Sequence, residues 1–227
     1  IRQAAKDALD RNDTYYGHTR GKPQLRKAIS QYLHNLYNVS IDDARITIPG
    51  SAMLSVTMAC QMTLDPNSHA IVITPHWPNI DRAISVTGAS FDYLRLKQKD
   101  GKWSLDLEAV KKIIRPNTRA LYINSPSNPT GWVMTKHQQK ELLEICRARN
   151  ITIISDEVYH RMIYDANVAP SFLEVARPTD SVIVINSFSK TYAMTGWRIG
   201  WMVTPGSLEE QMATISECFN TSAPSFI

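Results

Sequence analysis

The chain has 227 residues, 43% of them hydrophobic, which is ample for one well-packed domain and long enough for two. Its formal charge of +4 comes from 25 basic and 21 acidic residues spread along the chain, which favours small anionic ligands and offers no basic run for a nucleic-acid surface. Three distant cysteines without CxxC spacing (Cys60, Cys146 and Cys218) supply neither a disulfide framework nor a zinc site, and no apolar run is long enough to span a bilayer. The thiols read as reduced core residues, which fits a cytoplasmic protein, and no signal peptide is legible. Ile1 falls inside a helical pattern and Ile227 in a loop, so the chain reads as part of a longer protein.

Taken in order, residues 23–36 form the first clear helical pattern, with Leu25, Ile29, Leu33 and Leu36 on one face and Pro23 in the first turn. Short apolar, β-branched runs at 45–48 and 70–74 read as buried strands, and 91–96 as a further one. Leu107, Val110 and Ile114 place a helix over 106–114, followed by a strand at 120–124. Thr135 with Gln138 is a capping-box pattern opening a helix to about residue 149. Strands follow at 151–155 and 182–186, and a last one at 199–203 ends in Pro205-Gly206. Such alternation predicts an α/β fold: a mostly parallel sheet with helices on both faces, as a three-layer α/β/α sandwich joined by right-handed crossovers.

Ligands of such sheets bind outside the carboxyl ends of the strands. Five strand ends carry unusual residues: Pro49-Gly50-Ser51-Ala52, Pro75-His76-Trp77, Asn124 through Gly131, Asp156-Glu157-Val158-Tyr159, and Ser187 through Lys190. This mixture suits pyridoxal 5'-phosphate. Lys190 supplies an amine for a carbonyl and a proton carrier, and Asp156 a carboxylate for the pyridine nitrogen. Tyr159 and Asn128 supply donors for the ring oxygen, and Trp77 a stacking face. Gly50, Ser51 and Ala52 at a helix start, with Ser187 and Arg198, suit the phosphate.

Ser187-Phe188-Ser189-Lys190, with Arg198 eight residues on, resembles the cofactor-lysine segment of the class I/II aminotransferases. Asn128-Pro129-Thr130-Gly131 and Asp156-x-x-Tyr159 stand in that family's order, and the resemblance runs from Tyr16 to about Val203. It implies a fold-type I pyridoxal phosphate enzyme moving an amino group from an amino acid to a 2-oxo acid, with Lys190 as the Schiff-base lysine. Asp156 and Tyr159 join Lys190 as catalytic residues by the same resemblance, and Trp77 is placed on the ring. Residues 1–227 then form the large cofactor domain, with the small C-terminal domain and the N-terminal arm outside the chain. Tyr16 matches a tyrosine that reaches the phosphate of a partner subunit, which implies a homodimer with shared sites. Pro49 stands where relatives commonly have glycine or serine, and it lacks an N–H for the phosphate.

Each residue alone has a plainer reading. Asp156 and Glu157 could cap a helix, Arg198 could sit in a surface ion pair, Trp77 in the core, and Lys190 in solvent. All would have to hold together to remove the site. His18, His34, His69, His76, His137 and His160 lack metal-ligand spacing and read as surface or supporting residues, with His76 a candidate for the substrate mouth. Arg20 reads as a solvated loop residue, or as a contact for an anionic substrate. The lysine segment alone does not separate transamination from carbon–sulfur β-elimination or ring closure of an S-adenosylmethionine substrate. An aminotransferase-like sensor domain of a transcription regulator is the non-enzymatic alternative.

Overall fold

The computed structural model describes residues 1–227. In chain order the elements are α1 (Arg2–Asp10), α2 (Pro23–Tyr37), β1 (Ile46–Gly50), α3 (Ala52–Thr63), β2 (His69–Thr74), α4 (Asn79–Ser85), β3 (Ser90–Arg95), β4 (Lys97–Lys99) and β5 (Lys102–Ser104). There follow α5 (Leu107–Ile113), β6 (Thr118–Asn124), α6 (Lys136–Arg147), β7 (Thr152–Asp156), β8 (Val182–Ser187), α7 (Phe188–Thr191), β9 (Gly200–Val203) and α8 (Glu209–Asn220). Every strand and helix expected from the sequence is present, with ends displaced by one or two residues. Thr135 and Gln138 make the reciprocal bonds of a capping box on α6, a device worth about 1 kcal/mol.

Seven strands form one sheet in the order β1-β9-β8-β7-β6-β2-β3. Pairs β8–β7, β7–β6, β6–β2 and β2–β3 are parallel, whereas β9 is antiparallel to both β8 and β1. The sheet is mostly parallel, as expected, with β9 the strand reached without a crossover. Only the one-turn helix α7 and a 3₁₀ turn separate it from β8, so the chain turns back at the carboxyl rim. β1 is an edge strand, and its register with β9 breaks between Thr47 and Gly50, across Pro49, which has no N–H for the ladder.

Period-two alternation divides the strands' side chains between two cores. Ile71, Ile73, Leu121, Ile123, Ile153, Val184 and Trp201 pack with residues of α2, α5 and α6. Val72, Tyr122, Ile154, Ile183, Ile185 and Met202 pack with α3, α4 and α8. Helices thus cover both faces of the sheet. From β2 the chain moves outward to β3, and from β6 it moves the other way to β7 and β8. The β2–β6 boundary is therefore a switch point, where the carboxyl ends leave a crevice.

Helices α4 and α8 and the β4–β5 hairpin were not expected. The hairpin signal was Asp100-Gly101, both with positive φ (51° and 73°), the two-residue turn that matches strand twist. Three X–Pro bonds are cis: Thr74–Pro75, Ser125–Pro126 and Asn128–Pro129. Cys60 and Cys146 are buried as expected, but Cys218 is exposed on α8.

Candidate active site

A cavity of about 350 Å³ opens at the carboxyl rim of the sheet. It is lined by Ala52, Trp77, Asn128, Asp156, Tyr159, Ser187, Lys190 and Arg198, eight of the residues singled out from the sequence. Their strands give a lateral order across the rim. Ala52, Arg198 and Ser187 come from the β1, β9 and β8 side, Asp156 from β7, Asn128 from the loop after β6, and Trp77 from the loop after β2.

The β1–β9–β8 side is built for an anion. Gly50 enters α3 with φ +130°, a conformation open to glycine. The Ser51 hydroxyl accepts from the N–H of Leu54 and so caps the helix, whose first N–H groups have no intrahelical partner. A Cβ on Gly200 would meet Asn186 O at 2.6 Å and Ala52 N at 3.0 Å, so only glycine lets β8, β9 and the α3 start come this close. Ser187 accepts from the Ser189 N–H at 3.0 Å and donates to Ile199 O at 3.2 Å, which fixes its hydroxyl beside the cavity. Arg198 is held in the left-handed region (φ 53°) and donates to Thr195 O at 2.7 Å. It forms no ion pair with any carboxylate of the chain, so the surface-pair reading is set aside.

Lys190 stands on α7, which Ser187 caps and which Phe188 anchors by packing on the buried Trp201 ring at 4.9 Å between centroids. Its Nζ lies 5.6 Å from the centre of the Tyr159 ring. Asn128 Nδ2 donates to the Tyr159 hydroxyl at 3.3 Å, so these two side chains converge on one region of the cavity. Asn124 organises the loop: its Oδ1 accepts from the Asn128 N–H at 2.7 Å, and its Nδ2 donates to Asp156 O at 2.9 Å.

Asp156 ends β7 and pairs in register with Asn124 of β6. No helix follows it, which removes the helix-cap reading. Its Oδ1 accepts from the Val158 N–H at 3.2 Å, and its Oδ2 from the Tyr122 hydroxyl at 2.9 Å. Burial pushes its pKa up to about 6, against the opposing pull of those two hydrogen bonds and the Lys190 charge. Glu157, the next residue, faces the opposite core; burial pushes it up to about 7.

Several expectations need correction. Gly50 and Ser51 shape the start of α3 but do not line the cavity. Tyr16 is 85% exposed and lies outside this chain's own cavity, as a side chain expected to reach a partner's would. His76 is turned away from the mouth, its Nε2 bonded to Asp81 Oδ1 at 2.8 Å. Arg20 is neither solvated nor free for substrate, because it bonds Ala44 O and, at 2.6 Å, Glu209 Oε1. His69 is fully buried, with its Nδ1 2.8 Å from the Thr118 hydroxyl, and is no surface residue. The sequence reading missed Tyr122 and Asn79 and gave no role to Asn124 and Ser189, which it named only within strand-end segments; all four line the cavity. The signal for Tyr122 was strand parity, since it shares a face with Asn124 two residues on.

A lysine, a partly buried carboxylate and an arginine without an ion pair meet at the rim of this mixed sheet, as the resemblance to the fold-type I aminotransferases implies. The model of the family "Aminotransferase class I and II" matches residues 1–226, and the chain belongs to that family. It is 35% identical over 226 residues to a probable aspartate aminotransferase of Methanocaldococcus jannaschii, covering 100% of this chain and 58% of that one. It is 32% identical over 228 residues to an arginine–pyruvate transaminase of Pseudomonas aeruginosa, of which it spans 57%. An aromatic aminotransferase structure from Pyrococcus horikoshii superposes with a TM-score of 0.92 at 31% identity, over 99% of this chain and 60% of that one. The chain thus spans under two thirds of the length of these relatives. The family is generally pyridoxal phosphate-dependent.

Proposed function

We propose that this chain is the large, cofactor-binding domain of a pyridoxal phosphate-dependent aminotransferase. The carrying observation is the single cavity into which Lys190, Asp156, Arg198 and the Asn128–Tyr159 pair all open. That donor set fits the cofactor group by group. Arg198, Ser187 and the N–H groups at the start of α3 suit a phosphate. Asp156 suits a protonated ring nitrogen, and Asn128 with Tyr159 a phenolic oxygen. Trp77, 55% exposed at the mouth, offers an aromatic face.

When bound, pyridoxal phosphate supplies a carbonyl for an amino group and a ring that accepts carbanion charge. The chain's residues do the remainder. The Lys190 amine would hold the cofactor at its carbonyl carbon, and as a free amine it would take and return a proton. Asp156 would hold positive charge at the ring nitrogen. Tyr159 and Asn128 would hold the ring oxygen, and Arg198 would hold the phosphate. The exposed Tyr16 supports a homodimer in which that side chain reaches a partner's cavity. No helix is long and apolar enough to cross a membrane, and two buried reduced thiols favour the cytoplasm.

The named relatives take different amino acids, so the side chain of the donor is left to experiment. A panel of amino donors incubated with 2-oxo acids tests the reaction. Amino transfer that requires the oxo-acid acceptor is the expected result. Pyruvate and ammonia released from cysteine-like donors without an acceptor would overturn transamination in favour of β-elimination.

A further inference from the structure

The cavity contains a phenol that the proposed chemistry does not use. Tyr122 is buried in the sheet's α3–α4 face, yet its hydroxyl reaches the cavity and donates to Asp156 Oδ2 at 2.9 Å. The other Asp156 oxygen accepts only a backbone N–H, at 3.2 Å. Tyr122 is therefore the one side chain that hydrogen-bonds this carboxylate, and it does so from a neighbouring strand in fixed register. Resting on the cofactor reading above, we propose that Tyr122 is a positioning residue that aims the Asp156 carboxylate and biases the shared proton toward the cofactor's ring nitrogen.

The physical basis is a competition for one proton. A carboxylate facing a pyridine can leave the proton on nitrogen, where the ring is a strong electron acceptor, or take it and leave the ring neutral. A hydroxyl donating to the carboxylate lowers its proton affinity and favours the first arrangement. The groups around Asp156 make this donor important. Lys190 of α7 also favours the ionised form, and the Asp156 charge in turn raises neighbouring Glu157. Tyr159 and, from α3, Cys60 lie near Tyr122; burial pushes the Cys60 thiol up to about 12, so it stays neutral. Burial and Asp156 itself hold the Tyr122 phenol well above its ordinary pKa, so it remains a donor throughout the working range.

The test uses full-length protein with wild-type, Tyr122→Phe and 3-fluorotyrosine at position 122. Removing one oxygen preserves the ring that packs the core, and fluorine strengthens the donor without removing it. In cofactor-free protein, the carboxyl 13C titration of Asp156, assigned with Asp156→Asn, is expected to move up by about one unit in Tyr122→Phe and down with fluorotyrosine. In protein loaded with 15N-labelled pyridoxal phosphate, Tyr122→Phe is expected to move the ring nitrogen signal toward neutral pyridine and to lower kcat about tenfold. A purely structural role would not move the carboxyl titration in opposite directions. Titrations that coincide in all three proteins would overturn the proposal, as would an unchanged ring nitrogen signal in a protein that binds the cofactor. Failure of the wild-type protein to bind pyridoxal phosphate would instead overturn the cofactor reading.

Discussion

Asp156 and Glu157 are consecutive carboxylates at the end of one strand, and burial raises both. Strand parity sends them to opposite faces of the sheet. Asp156 opens into the cavity beside Tyr122, Lys190 and Tyr159. Glu157 is sealed in the other core, where its Oε1 accepts from the Ser155 hydroxyl and the Phe172 N–H, each at 3.0 Å. Nearby, the Tyr32 hydroxyl lies 2.8 Å from Nε2 of His160, whose Nδ1 lies 3.2 Å from Glu157 O. Burial drops His160 to about 4, so the ring is neutral, with Nδ1 donating to that carbonyl and Nε2 accepting from Tyr32. A shifted carboxylate is thus not by itself a mark of chemistry. The cavity and the nearby amine distinguish Asp156, while Glu157 pins the 157–172 loop against the sheet.

Substitutions on the two faces can break this contrast. The largest effect is expected on the cavity face. Lys190→Ala should lower kcat about a thousandfold or more, because it removes both the covalent anchor and the proton carrier. Asp156→Ala should leave the cofactor bound more weakly and reduce amino transfer about a hundredfold or more. Near-normal steady-state turnover in either variant would remove its residue from the mechanism. Arg198→Gln should weaken pyridoxal phosphate binding about 10- to 100-fold, read by equilibrium titration of cofactor-free protein.

The smallest effect on turnover, and the clearest on stability, is expected at Glu157→Gln. Because Glu157 is raised to about 7 in the folded chain from an ordinary 4.5, the native state holds the extra proton. Stability therefore falls as pH rises from 4.5 through 7. Above the ordinary histidine value of 6.5, His160 is largely neutral both folded and unfolded and adds little. Between pH 6.5 and 8 the cofactor-free wild-type protein should lose melting temperature. Glu157→Gln should flatten that loss while keeping kcat within about threefold. A hundredfold loss of kcat would place Glu157 with the catalytic groups after all.

Much of this was legible in the chain because strand ends are simple to read. An apolar run ends, a polar or unusual residue follows, and the topology rule brings those residues to one rim. Lys190, Asp156 and Asn128 were found in that way, and Arg198 by its place eight residues after Lys190. Tyr122 was hidden because it lies inside an apolar run, where a tyrosine reads as core; only the register of β6 against β7 shows its hydroxyl at Asp156. Arg20 and His76 were misread for a related reason. Their partners, Glu209 on the unexpected α8 and Asp81 on the unexpected α4, belong to helices that the apolar pattern did not reveal.

The most direct measurement is reduction with borohydride after incubation with pyridoxal phosphate, followed by peptide mass mapping. A single cofactor-derived adduct on Lys190 is the expected result, absent in Lys190→Ala and retained in Glu157→Gln. No adduct, or one distributed over other lysines, would contradict the assignment of this cavity to the cofactor.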